Sequence, residues 1–482
     1  MKTFLFYDIE TSGLNSTFDQ VLTFAAIRTD LALREIERVS VVVQLRLDVV
    51  PSPGAFITHR LSLASLITGD CEYDATRRIH ALVNQPGTIS LGYNTLGFDD
   101  EFLRFTFYRN LLDPYSHQYA NGCSRMDILP LAVLYRLFAP MDIHWPDHDG
   151  KPSMKLELIS RDNALVTSGR AHDAMVDVEA TLALARKLFA RREMWDYCRT
   201  FFHKDEESSH MGRLEQRKIG KAGTFYLGIM VSVAFGAKHN YMAPVLGIGP
   251  SRVYGNQTLW LRLDSSGLPG EKGELEDPDK IFVIRKKKGE PPLLLPPLDR
   301  FWRRLSPEQQ DLVPKHMEAL SKHDQWFAEF IAYHQGYVYP IVPDLDVDAA
   351  LYQDGFFSST EKKEMAGFHT SFPAHGMACA KKMTTPRVKC LAARILFRNS
   401  FDATPLEDAF GELGFDEKYY MERIRRGQEL DSPIKGFRND TRYGVAQALD
   451  EIEDMLADGT IEKFDDEQIS LLKEIERHIQ TM

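Results

Sequence analysis

The chain has 482 residues, with 58 Lys and Arg against 69 Asp and Glu, for a formal net charge of −11. That length accommodates two to four domains with a large core, and without an apolar run of about 18 residues no membrane span is expected. The acidic balance does not advertise nucleic-acid binding, which draws on local cations rather than on overall charge, so any such role requires a basic groove built locally.

Residues 3–11 read as a buried strand ending in two acids, Asp8 and Glu10. Further strands are predicted at 21–29 and 39–47, with turn chemistry at Ser12-Gly13 and Asn15-Ser16, and a fourth at 88–93. Helical patterns fall at 74–84, 99–110, 126–137 and 173–192, with a short one at Lys155–Ile159. Strands first, then mixed strands and helices, predict an α/β domain with a mixed sheet over residues 1–200.

The charged, His- and Ser-rich stretch up to Gly212 marks a boundary. Short β-like runs at 225–227, 231–233, 259–261 and 281–284, followed by helices near 306–334, predict a small β-domain over 201–344. Its Arg285-Lys286-Lys287-Lys288-Gly289 run reads either as a solvated hairpin tip or as a contact for a phosphate backbone or an acidic peptide. Beyond the linker at Pro340–Asp344, helices are predicted at 345–353, 359–366, 386–397, 404–412, 416–426, 439–457 and 465–480, a helical domain over 345–482. Val445, Leu449, Ile452 and Leu456 recur there at helical spacing and are expected to face a core. The five cysteines are odd in number and form no Cys-x-x-Cys, which argues for free thiols in a reducing cytoplasm.

Asp8 and Glu10 are two residues apart, so on a strand their side chains share a face. Two carboxylates there repel each other. A divalent cation is the usual compensation for such an oxygen cluster; a solvated strand end is the other reading. His172 and Asp177 are five apart, about 140° around a helix, and do not share a helical face. His172 therefore belongs on the loop before the helix and Asp177 one turn inside it, which suits a general base beside a metal ligand. Asp173, between them, has the chemistry of a helix cap.

In order, Asp8-x-Glu10, Asn94-x-x-x-Phe98-Asp99 and His172-x-x-x-x-Asp177 resemble the motifs of the DEDDh 3′→5′ exonuclease superfamily. The likeness to its bacterial exodeoxyribonuclease members extends to Phe24–Asp30, Phe107–Asn110, Asp113-Pro114-Tyr115, Ala171–Ala174 and Leu351–Phe357, and is weakest in the middle third. The resemblance implies a ribonuclease-H-like core, an SH3-like β-domain with a helical insertion, and a C-terminal helical domain. It implies release of 5′-mononucleotides from the 3′ end of single-stranded DNA with two Mg²⁺ ions, Mn²⁺ being a substitute. Asp8, Glu10 and Asp177 would hold the metal carrying the nucleophilic water, Asp8 would bridge to the second, and Asp99 would support that second metal. Asp99 is preferred to Asp100 because it directly follows Phe98. His172 would deprotonate the water, as a neutral imidazole can near neutral pH.

The resemblance further assigns Arg104 and Lys155 to phosphates, Tyr115 and Tyr119 to stacking on bases, and Glu10 and Thr11 to the neighbourhood of the 3′ end. It implies a DNA repair and recombination role, a cytoplasmic monomer, and single-stranded-DNA-binding protein as a partner. An RNA-trimming exonuclease and a catalytically silent repair scaffold are the alternatives. The long extension past residue 200 argues against the first, and the complete acid set with His172 against the second.

Overall fold

The strand bearing Asp8 and Glu10 lies at the centre of a five-stranded mixed sheet. In the computed structural model, which describes residues 2–166, 169–268, 281–399, 410–427, 430 and 432–482, the strands are β1 (Thr3–Thr11), β2 (Val21–Thr29), β3 (Glu35–Val42), β4 (Thr88–Leu91) and β5 (Ser124–Arg125), in the order β3-β2-β1-β4-β5. β1 is antiparallel to β2 and parallel to β4, and β4 is parallel to β5.

Alternation along β1 sorts its side chains between two cores. Phe4 and Phe6 pack with the helices α4 (Ile128–Phe138) and α6 (Ala174–Phe189). Leu5, Tyr7 and Ile9 enter the opposite core with α2 (Glu72–Val83) and α3 (Asp99–Arg109). The parity of Phe4 and Phe6 is that of Asp8 and Glu10, so both acids point to the face covered by α6. This part also carries the helices α1 (Pro53–His59) and α5 (Leu156–Asn163).

β3 begins and ends earlier than predicted. At Val43 the chain leaves the sheet to bridge Asp70, while the exposed Glu35 and Glu37 extend the strand at its other end. An edge strand does not need the apolar alternation on which the prediction rested.

The middle part contains an antiparallel sheet of β6 (Glu215–Ile219), β7 (Gly223–Val231), β8 (Met242–Pro250), β9 (Gln257–Arg262), β10 (Val283–Lys287) and β11 (Leu293–Leu295). The order is β10-β9-β8-β7-β11, with β6 also on β7. The expected linker before it is largely the helix α7 (Lys204–Gly212). The basic run at 285–288 is not a solvated tip: Lys286 is 1% exposed and its ammonium lies 2.5 Å from the buried Glu207 of α7. Burial lowers the Lys286 pKa, opposed by that carboxylate. The helices expected near 306–334 are Pro307–Lys322 and α8 (Asp324–Gly336).

The C-terminal part is helical at Ser359–Ser371, Gly376–Lys381, Pro386–Arg398, Glu417–Arg426, Val445–Leu456 and Asp466–Thr481. The helix expected at 345–353 is reduced to a 3₁₀ turn at Val347–Ala349 capped by Asp346. The helix expected at 404–412 lies mostly outside the described residues. Apolar clusters join all three parts. Ile229, Val231, Leu293 and Leu295 share a core with Phe4 and Phe6, and Phe18, Phe56 and Phe105 share one with Leu391, Ile395, Ile452 and Ile475. All five cysteines are free, and no described helix is long and apolar enough to cross a membrane.

Candidate active site

The acids converge at the C-terminal end of the parallel pair β1/β4, where open α/β sheets place their ligands. β4 pairs with β1 only as far as Leu91, opposite Phe6. Beyond it the Ile9 N–H donates to Asp99 Oδ1 at 3.2 Å, which fixes the first residue of α3 against the strand between Asp8 and Glu10. Gly92 makes this approach possible, since a Cβ there would lie 2.4 Å from the Tyr7 carbonyl oxygen. From the other face, α6 contributes Asp177. One oxygen from each of Asp8, Glu10 and Asp177 lies within 4.8 Å of the others.

No described lysine or arginine forms an ion pair with these acids. Burial raises the Asp8 pKa well above the carboxylate range, and Asp99, Glu10 and Asp177 push it further. Glu10 is pushed up to about 9 by burial and by Asp177 and Asp99. Asp99 rises to about 7, first through burial, and Asp177 to about 6 for the same reason, although His172 lowers it. A compact all-oxygen set that cannot stay ionised unaided fits a hard divalent cation.

The neighbour Asp100 is a different kind of acid. It is fully buried and held by Arg104, whose Nε donates at 2.7 Å, by Arg125, and by His117 Nε2 at 2.9 Å. These partners hold its pKa well below the usual range against the opposing effect of burial. Arg125 also reaches Glu290 at 2.7 Å, and Arg104 faces the Tyr352 hydroxyl at 3.2 Å, so Asp100 ties all three parts of the chain together behind Asp99. Asp100→Asn leaves the buried Arg104 without its paired carboxylate and is expected to cost about 3–5 kcal/mol. Chemical denaturation would measure this, and an unchanged midpoint would contradict the network.

His172 sits on the loop before α6 with φ +63°, a left-handed conformation uncommon outside glycine. Its N–H donates to Asp177 Oδ2 at 3.2 Å and its Nε2 lies 3.4 Å from Glu157. Asp173 caps α6, accepting from Met175 N–H at 3.0 Å. Lys155, just before α5, is exposed and 3.6 Å from Glu157. The Thr11 hydroxyl donates to the Gly13 carbonyl at 2.7 Å. Tyr115 and Tyr119 line a cavity of about 290 Å³ with Phe356 and Lys362. Arg104, assigned to phosphate on sequence, is buried and largely engaged by Asp100. The sequence reading missed Glu157, His117, Arg125, Tyr352 and Glu290. Tyr352 lies in a stretch already singled out, but nothing local to Glu290 signals a partner as distant as Arg125.

The exonuclease family model RNase_T matches residues 5–185, which include the four acids and His172. Fold and site thus define an exonuclease of that class. The chain is 32% identical over 481 residues to exodeoxyribonuclease I of Escherichia coli K12, covering 94% of this chain and 95% of that one. It is 35% identical over 250 residues to exodeoxyribonuclease I of Buchnera aphidicola subsp. Acyrthosiphon pisum, covering 51% and 58%. A crystal structure of E. coli exonuclease I in complex with a dA16 oligonucleotide matches with a TM-score of 0.78 at 26% identity, over the full length of both chains. The chain belongs to the exodeoxyribonuclease I family.

Proposed function

We propose that this chain removes 5′-mononucleotides from the 3′ end of single-stranded DNA by hydrolysis with two Mg²⁺ ions, for which Mn²⁺ can substitute. The observation that carries this reading is the convergence of Asp8, Glu10 and Asp177 oxygens within 4.8 Å, with Asp99 tied to the same strand. When bound, two such ions neutralise charge at phosphorus and stabilise the attacking and leaving oxygens. Asp8, Glu10 and Asp177 would hold one ion, and Asp8 with Asp99 the other.

His172 accepts the proton of the attacking water. Its loop stays beside the acids through the N–H donated to Asp177, and its exposed ring can move to the water and then release the proton to solvent. Lys155 meets phosphates, while Arg104, buried against Asp100, positions the backing of Asp99. Tyr115 and Tyr119 stack on unpaired bases, and the backbone near Glu10 and Thr11 reads the terminal hydroxyl.

The β-domain and the helical domain, taken as 201–344 and 345–482, form with the core 1–200 a channel that admits one strand and excludes a duplex. The shared apolar clusters support this reading, as does the oligonucleotide complex of the E. coli relative. The enzyme acts as a cytoplasmic monomer in DNA repair and recombination, with single-stranded-DNA-binding protein as a partner. The test compares linear single strands, blunt duplexes and single-stranded circles. Rapid digestion of the first, poor digestion of the second and none of the third are expected. Equal rates on single strand and blunt duplex would contradict the channel.

A further inference from the structure

We propose that the segment Tyr333–Ile341, together with Tyr254 and Arg285, is a second contact for the nucleic-acid strand: an aromatic platform on which unpaired bases stack outside the active site. This rests on the single-strand reading above and extends it to a surface far from the acids in sequence.

The end of α8 and the chain after it place an unusual run in solvent. Tyr333 is 64% exposed, Val338 59%, Tyr339 47% and Ile341 78%. Exposed apolar patches of this kind mark binding surfaces. The rings form a ladder: Tyr333 to Tyr337 at 6.2 Å, Tyr337 to Tyr339 at 5.6 Å and Tyr339 to Tyr254 at 5.1 Å between centroids. The first two pairs meet edge to face, which leaves ring faces uncovered by their neighbours. The ladder is held in shape, since the Tyr339 N–H donates to the Tyr254 hydroxyl at 3.0 Å.

Cations complete it. The Arg285 guanidinium lies 4.5 Å from the centre of the Tyr337 ring and donates to the His334 carbonyl at 3.2 Å. Neither Arg285 nor the exposed Arg252, whose N–H donates to the Gln335 carbonyl at 2.9 Å, pairs with a carboxylate among the described residues. Tyrosine faces beside unneutralised arginines are the elements of sequence-tolerant strand binding, in which rings stack on bases and cations meet phosphates.

The platform is joined to the active site by a short relay. Val342 exchanges backbone hydrogen bonds with the Gln353 side chain at 2.9 and 3.3 Å. Gln353 follows Tyr352, whose hydroxyl faces Arg104, the partner of Asp100 beside Asp99. In the proposed arrangement the strand runs from the acids past Tyr352 towards Ile341 and Tyr339.

The test replaces Tyr333, Tyr337 and Tyr339 together by Ala, and in a second variant by Phe, in the full chain. Binding of fluorescent oligothymidylates is measured by anisotropy in EDTA, one of about 30 nucleotides and one of about 5. The Ala variant should bind the long strand about tenfold or more weakly and the short one unchanged, with the Phe variant close to the parent. Unchanged long-strand affinity in the Ala variant, equal weakening of both lengths, or loss in the Phe variant would each overturn the platform. Failure of the parent to bind either strand would instead overturn the single-strand reading.

Discussion

Asp8→Asn, Glu10→Gln, Asp99→Asn and Asp177→Asn each lower strand cleavage by orders of magnitude and leave the fold intact. Each change keeps the shape of a side chain and removes a charge that the proposed metals need. The same variants carry a second, opposite expectation. In the metal-free protein these acids hold their protons more tightly than in the unfolded chain, with Asp177 raised to about 6, Asp99 to about 7 and Glu10 to about 9. Where the folded pKa of an acid is raised, the unfolded state releases its proton first as pH rises. Stability therefore falls between the unfolded value, near 4, and the folded value, and the loss is complete above it.

Thermal unfolding in EDTA should accordingly show the parent losing stability from about pH 5 to pH 9. The amide variants should lose less, and added Mg²⁺ should stabilise the parent more than the variants. Near-normal turnover in two or more variants, or lower metal-free stability than the parent at pH 8, would contradict the assignment.

His172→Ala loses most activity at pH 7, by about 10²–10⁴-fold, the usual contribution of a positioned base. It should still bind single-stranded DNA with metal present, because the hydrogen bond from this residue to Asp177 is made by its backbone N–H, which Ala keeps. Raising the pH should recover part of the rate, since hydroxide needs less help than water. A variant as active as the parent across that pH range would remove His172 from the base role.

The mixed sheet and the meeting of the acids were legible because both rest on local rules. Period-two alternation in Thr3–Thr11 sets which side chains of β1 share a face, and the five-residue gap from His172 to Asp177 sets the loop-to-helix transition. What was hidden depends on distant partners. Glu207 turned an apparent linker into a helix that buries Lys286, a pairing across 79 positions that no window reveals. Asp100 and Asp99 are equivalent in sequence chemistry, and only Arg104, Arg125 and His117 separate a neutralised structural acid from an uncompensated one. β8 escaped because Pro244, Gly247 and Gly249 have turn chemistry, yet the strand pairs regularly with β7 and, with a register shift between Gly247 and Gly249, with β9.

The most direct test of the central claim follows one linear single strand labelled at either end, with Mg²⁺ or with EDTA. With Mg²⁺ the 3′ label should appear at once as mononucleotide while the 5′ label stays on progressively shorter strands. EDTA and Asp8→Asn should each stop both. Release of the 5′ label first, internal cuts, or cleavage that persists in EDTA would contradict a metal-dependent 3′→5′ exonuclease.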